Sequence, residues 1–140
     1  KTKNGFNFFH FMVDLNQGPC AIKRLRGCGC GNEYVAVTPE GDLYPCHQFV
    51  GDPQYKMGNV MEHTLDLEMK NDFAKANVYS KEDCRNCWAK FYCSGGCAAN
   101  SWQYEHDIHK SHTLSCELEK KRLECAIMME AAMQDMQEAE

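Results

Sequence analysis

Cys84-Arg85-Asn86-Cys87-Trp88-Ala89-Lys90-Phe91-Tyr92-Cys93-Ser94-Gly95-Gly96-Cys97 packs four cysteines into fourteen residues, spaced C-x2-C-x5-C-x3-C, and Cys116 follows after eighteen more. A C-x2-C turn sets two sulfurs on one side of a tight loop, as a metal ion or an iron–sulfur cluster needs. Thiolates are soft donors that suit either. Gly95-Gly96 lets backbone amides approach the flanking sulfurs, and Trp88, Phe91 and Tyr92 are expected to wall the site from water. Zinc is the main rival on spacing alone, since C-x2-C pairs also build zinc ribbons. The bacterial ferredoxin run has two residues in its middle gap and a proline at its end. Here the gap holds five residues and Ala98 stands at the end.

Working toward the N-terminus, Gly41-x4-Cys46 and Cys28 supply two more well-spaced cysteines, with Cys20 and Cys30 nearby. A tetranuclear cluster takes four thiolates. Seven well-spaced cysteines exceed one site and fall one short of two. The arithmetic predicts two sites, with Cys20 or Cys30 completing the second or one corner left open. Cys125 lies in a helical pattern between Leu123 and Ala126 and reads as a buried apolar thiol.

The chain has 140 residues and a formal net charge of −5, so no basic field draws nucleic acid or an anionic membrane. No apolar run approaches the length that spans a bilayer, and no secretory leader pattern is present. Ten cysteines in that setting read as metal ligands in a reducing cytoplasm rather than disulfides. The opening Lys1-Thr2-Lys3-Asn4 reads as a cut from a longer chain.

The rest of the pattern predicts a small α+β domain. Phe6 to Leu15 is expected as a buried strand and Cys20 to Gly31 as a loop wrapped around a site. Tyr34 to Thr38 and Leu43 to Cys46 form a β-hairpin about the turn Pro39-Glu40-Gly41-Asp42. Pro45, with no N–H, ends the return strand or confines it to an edge. Tyr55 to Val60 is expected as a second short hairpin element, turning at Gly58-Asn59. A helix is expected from Asp66 to about Asn77, with Leu67, Phe73 and Ala74 on one face. Another runs from Ala98 to about Tyr104. A long amphipathic helix runs from about Cys116 to Gln137, its stripe carried by Leu123, Ala126, Met129 or Glu130, Met133, and Met136 or Gln137.

Cys28-x12-Gly41-x4-Cys46, Cys84-x2-Cys87-x5-Cys93-x3-Cys97 and Cys116 together resemble the seven-cysteine pattern of SPASM domains, the C-terminal extensions of radical SAM enzymes that mature peptides and proteins. Gly18-Pro19-Cys20, Gly27-Cys28-Gly29, Glu33-Tyr34-Val35-Ala36-Val37-Thr38-Pro39, Tyr44-Pro45-Cys46-His47-Gln48-Phe49 and Cys116-Glu117-Leu118-Glu119 resemble the maturases of SCIFF peptides, which are rich in cysteine. The resemblance implies two auxiliary 4Fe–4S clusters, one on Cys84, Cys87, Cys93 and Cys116 and the other on Cys28, Cys46 and Cys97. Cys20, or a cysteine of the precursor peptide, would complete the second, and Cys30 would be a spectator. It also implies a division into residues 1–17, the end of a missing radical SAM barrel, and residues 18–140, the SPASM domain. The full enzymes form thioether cross-links in their peptide.

The SAM-cleaving C-x3-C-x2-C motif is absent, since Asn100 and Ser101 follow Cys97 where a cysteine is needed. S-adenosylmethionine and its cluster would therefore belong to the barrel, and this chain would contribute substrate binding and electron transfer rather than catalysis alone. A zinc-binding interaction module and a stand-alone electron carrier are the alternatives. Lys23, Arg24 and Arg26 can offset cluster charge or meet an acidic stretch of peptide. His47 is placed to hydrogen-bond near Cys46, while His106, His109 and His112 read as an exposed polar loop.

Overall fold

The computed structural model describes Val13, Leu15 and residues 25–138. The strand expected over Phe6 to Leu15 lies outside the described residues apart from Val13 and Leu15, as do Cys20, Lys23 and Arg24.

The hairpin forms where its turn chemistry puts it. Strand β1 (Ala36–Val37) pairs antiparallel with β2 (Asp42–Tyr44), Ala36 opposite Tyr44 and Val37 opposite Leu43. Gly41 closes the turn at φ +87°, its N–H donating to Thr38 O at 2.9 Å, in the left-handed region that glycine enters without a Cβ penalty. The return strand stops at Tyr44, one residue before Pro45, as a residue without an N–H requires.

Gly58-Asn59 is a strand and not the expected turn. It is β3 (Gly58–Asn59), paired with β2 on one side and β4 (Thr64–Leu65) on the other in a four-stranded antiparallel sheet ordered β1-β2-β3-β4. Gly58 is there for close packing: a Cβ on it would sit 2.3 Å from Thr64 O. Asn59 is buried and works as an internal staple. Its Nδ2 donates to Glu40 O and Asp42 Oδ1, and its Oδ1 accepts from Met61 N at 2.7 Å, which fixes the turn that follows.

Helix α1 (Leu67–Lys75) starts at Asp66, whose carboxylate accepts from Met69 N at 2.9 Å, the side-chain cap expected of an aspartate there. Phe73 is buried, but Leu67 is 61% exposed and falls off the inward face. The cysteine run that reads as loop contains two short helices, α2 (Glu82–Arg85) and α3 (Lys90–Cys93), followed by α4 (Ala98–Glu105) and α5 (Thr113–Glu138). On α5 the expected stripe is buried only at Leu123 and Ala126, whereas Met129, Met133 and Met136 are exposed, Met136 at 71%. No described helix is long and apolar enough to cross a membrane.

The core is aromatic. Phe49 lies 4.5 Å from Tyr55 and 5.6 Å from Phe73 between ring centroids, and Tyr55 meets Trp102 at 4.9 Å. Cys30, Tyr44, Cys46, Ala99 and Ile108 close around them. Two of the cysteines are thus held by the core itself.

Candidate metal centres

All nine described cysteines are free thiols, and the fold sorts eight of them into two groups. Cys84, Cys87, Cys93 and Cys116 line one cleft of about 50 Å³, together with Asp83, Lys90, Glu119 and Lys120. Each thiol comes from a different local structure: Cys84 from α2, Cys87 from the turn after it, Cys93 from the last residue of α3, Cys116 from the first turns of α5. The α2 turn is closed by Cys87 N donating to Cys84 O at 3.1 Å, which is the C-x2-C loop drawn tight. Cys84 Sγ also meets Ser111 Oγ at 3.4 Å.

The second group gathers about the hairpin. Cys46 interacts electrostatically with Cys97 and Cys28, and Cys30 with all three. Cys30, set aside as a spectator in the sequence, is buried beside the aromatic core, and its thiol is raised by burial and then by Cys28. Two residues that sequence reading did not single out donate to these sulfurs. Tyr34 Oη lies 3.5 Å from Cys28 Sγ, and Gln48 Nε2 lies 4.0 Å from Cys97 Sγ. The signal for Gln48 was its position two residues after Cys46. His47, like Gln48, is exposed.

Between Cys93 and Cys97 the chain passes through Ser94, Gly95 and Gly96 at φ +59°, +85° and +76°. Three successive left-handed residues reverse the chain between the two thiols, and Cys93 and Cys97 both line a further cavity of about 310 Å³ that Cys116 also reaches. The Gly96 amide donates to Cys93 O at 3.4 Å and opposes the rise of the neighbouring Cys93 thiol. The expected aromatic wall is only partial. Trp88 is 52% exposed, and Phe91 packs instead against Tyr79, with Lys90 Nζ 5.4 Å from its ring centroid. Of the basic loop, Arg26 pairs with Glu33 at 3.1 Å. The three histidines part company: His106 packs on Trp102, His109 binds Asp72 at 2.8 Å, and His112 stacks on Tyr104. Cys125 is half-buried on α5. Among the described residues no three His, Cys, Asp or Glu side chains close on a single point where one ion would sit.

The electrostatics of the thiols point to cation binding. Burial, then the Glu119 carboxylate and the Cys116 thiol, push the Cys93 thiol up to about 11. Burial and the other thiols likewise raise Cys30 and Cys116, while at Cys46 the Gln48 and Phe49 amides oppose a rise driven by burial. Clustered thiols that resist ionisation side by side lose their protons when a metal centre takes the protons' place. A raised thiol pKa favours folding only while the unfolded thiol stays protonated. In iron-free protein that contribution is present below the ordinary value of 9.0 and is lost as the pH climbs through the folded value of about 11. The denaturation midpoint of iron-free protein is accordingly expected to fall between these two pH values, and a flat or rising midpoint would remove this account of the thiols.

Comparison with known proteins agrees with this geometry. Residues 28–88 match the family model of the SPASM domain, described as an iron–sulfur cluster-binding domain. The matched stretch takes in Cys28, Cys46, Cys84 and Cys87, while Cys93, Cys97 and Cys116 lie beyond it. An uncharacterized protein of Archaeoglobus fulgidus is 30% identical over 74 residues, 51% of this chain and 18% of that protein. A serine-type anaerobic sulfatase-maturating enzyme of Bacteroides thetaiotaomicron is 32% identical over 83 residues, 56% of this chain and 20% of the enzyme. A PqqA peptide cyclase of Methylobacterium nodulans is 30% identical over 92 residues, 61% of this chain and 24% of the cyclase. The chain thus spans about a quarter or less of the length of these relatives. Over residues 28–88 it is similar to the SPASM iron–sulfur cluster-binding domain.

Proposed function

We propose that this chain is the SPASM portion of a radical SAM peptide maturase, with residues 1–17 the end of the catalytic barrel and residues 18–140 the domain that carries two auxiliary 4Fe–4S clusters. The observation that supports the reading is the cleft shared by Cys84, Cys87, Cys93 and Cys116, beside the mutual influence of the Cys28, Cys30, Cys46 and Cys97 thiols near the hairpin. Cys84, Cys87, Cys93 and Cys116 hold one cluster. Cys28, Cys46 and Cys97 hold the other, its fourth corner falling to Cys20 or to a cysteine of the peptide; Cys30 is a further thiol in reach. The thiols of the first group line a common cleft, and four thiolates are the ligand set of one tetranuclear cluster.

When bound, the clusters supply one-electron transfer and a place for a peptide thiolate. The chain's own residues hold the thiols apart, donate to the sulfurs through Tyr34 and Gln48, and shield Cys46 and Cys30 within the aromatic core. The substrate we assign is a cysteine-rich precursor peptide of the SCIFF kind, and the reaction of the whole enzyme is thioether formation in the cytoplasm. The printed activities of two relatives, sulfatase maturation and peptide cyclisation, support a role in modifying polypeptides.

Protein purified without oxygen is expected to carry about eight irons per chain with matching sulfide. About one or two zinc ions without sulfide would replace this reading with a zinc-binding structural or interaction module. Eight irons that cycle reversibly in protein indifferent to cysteine-rich peptide would mean an electron carrier.

A further inference from the structure

Lys81 is 3% exposed, the residue before α2, and has no carboxylate in ion-pair contact among the described residues. Its Nζ donates to Gly95 O at 3.0 Å and to Ser101 Oγ at 3.3 Å, and Ser101 Oγ donates onward to Cys97 O at 3.2 Å. Its backbone carbonyl accepts from Cys84 N and Arg85 N, both at 3.1 Å. One residue therefore ties the turn that carries Cys84, through its backbone carbonyl, to the loop between Cys93 and Cys97, through its side chain.

A buried ammonium with two neutral acceptors and no counter-charge is expensive to keep. Burial lowers the Lys81 pKa, and the thiols of Cys84, Cys116, Cys93 and Cys97, three from one group and one from the other, oppose that shift. Thiolates that ligate a cluster are anions, and each group supplies at least one that acts on this ammonium. Its burial is costly with neutral thiols and compensated with ligating thiolates.

We propose that Lys81 is the shared counter-cation of the two clusters, holding the Cys93–Cys97 loop between them and raising both reduction potentials together. The inference rests on the two-cluster reading above. A cluster's potential follows the charge around it and the hydrogen bonds to its sulfurs. Reduction adds negative charge, so a buried cation stabilises the reduced form and its removal drives the potential down.

The test is Lys81→Gln in the reconstituted protein, followed by redox titration of both clusters. Glutamine keeps a donor for Gly95 O or Ser101 Oγ and removes the charge. The expected result is a full complement of iron with both midpoint potentials shifted to more negative values. Potentials that stay at the wild-type values, or a shift confined to one cluster, would overturn the proposal. Should the glutamine variant not take up iron, Lys81→Arg decides. An arginine variant that loads with both potentials near wild type supports the charge, and one that also fails to load leaves Lys81 a packing residue and overturns it. Wild-type protein without two clusters would sink the cluster reading itself, an outcome visible in the iron count before any variant is made.

Discussion

Alanine at Cys93 and alanine at Cys97, four positions apart, are expected to abolish different clusters, each variant retaining about four of about eight irons per chain. Cys93 ends α3 and shares its cleft with Cys84, Cys87 and Cys116. Cys97 precedes α4 and interacts with Cys46 and Cys30. The left-handed backbone of Ser94, Gly95 and Gly96 divides them, and glycine at two of the three positions keeps that reversal free of Cβ strain. The check is iron per chain together with the electron paramagnetic resonance of the reduced variants. The expected outcome is two distinct residual signals that sum to the wild-type spectrum. The same residual signal in both variants, or loss of all iron from each, would mean that the loop does not separate two sites. Cys125→Ala is the control and is expected to keep the full iron content.

The parts of this fold that were legible in the sequence are those set by neighbours along the chain. Pro39-Glu40-Gly41-Asp42 carries its own turn, and the β1–β2 hairpin forms around it. Asp66 caps the helix that begins at Leu67, and α4 begins at Ala98 as its pattern predicts. Gly58-Asn59 was misread because the same dipeptide that favours a turn also permits close strand packing, and only Thr64, six residues on, reveals which applies. The α5 stripe was read from periodicity, which places apolar residues on one side without saying how far the packing partner extends; here burial ends after Ala126.

The site divides in the same way. The C-x2-C spacing announces a metal centre because two adjacent ligands are a local property. Lys81 gave no such sign. In Ser80-Lys81-Glu82-Asp83 it looks like one charge in a solvated run, and only the return of Gly95 and Ser101 over its ammonium shows it buried. Cys30 likewise stands outside the seven-cysteine spacing, and it is the fold of the Gly27–Gly31 loop that brings its thiol to Cys28.

Phe49→Ala is expected to lower stability by about 3–5 kcal/mol. Phe49 is 1% exposed in the short 3-10 turn His47–Phe49, fixed by its own N–H donating to Cys46 O at 3.0 Å. Its ring is boxed between Tyr55 and Phe73, neighbours on a second short turn and a helix that a truncated side chain cannot draw inward to fill the space. A loss of that size is a large share of the roughly 5–15 kcal/mol that holds a domain folded, so the same variant is expected to load the cluster at Cys46 poorly. Val50→Ala, next in the chain at an exposed position, is expected to stay within about 0.5 kcal/mol of wild type. Denaturant unfolding of the loaded proteins, compared at a common slope, measures the difference. A Phe49→Ala midpoint indistinguishable from that of Val50→Ala would show that the aromatic box is not what holds Cys46 in position, and the hairpin and its turn would then be supported by the cluster rather than the reverse.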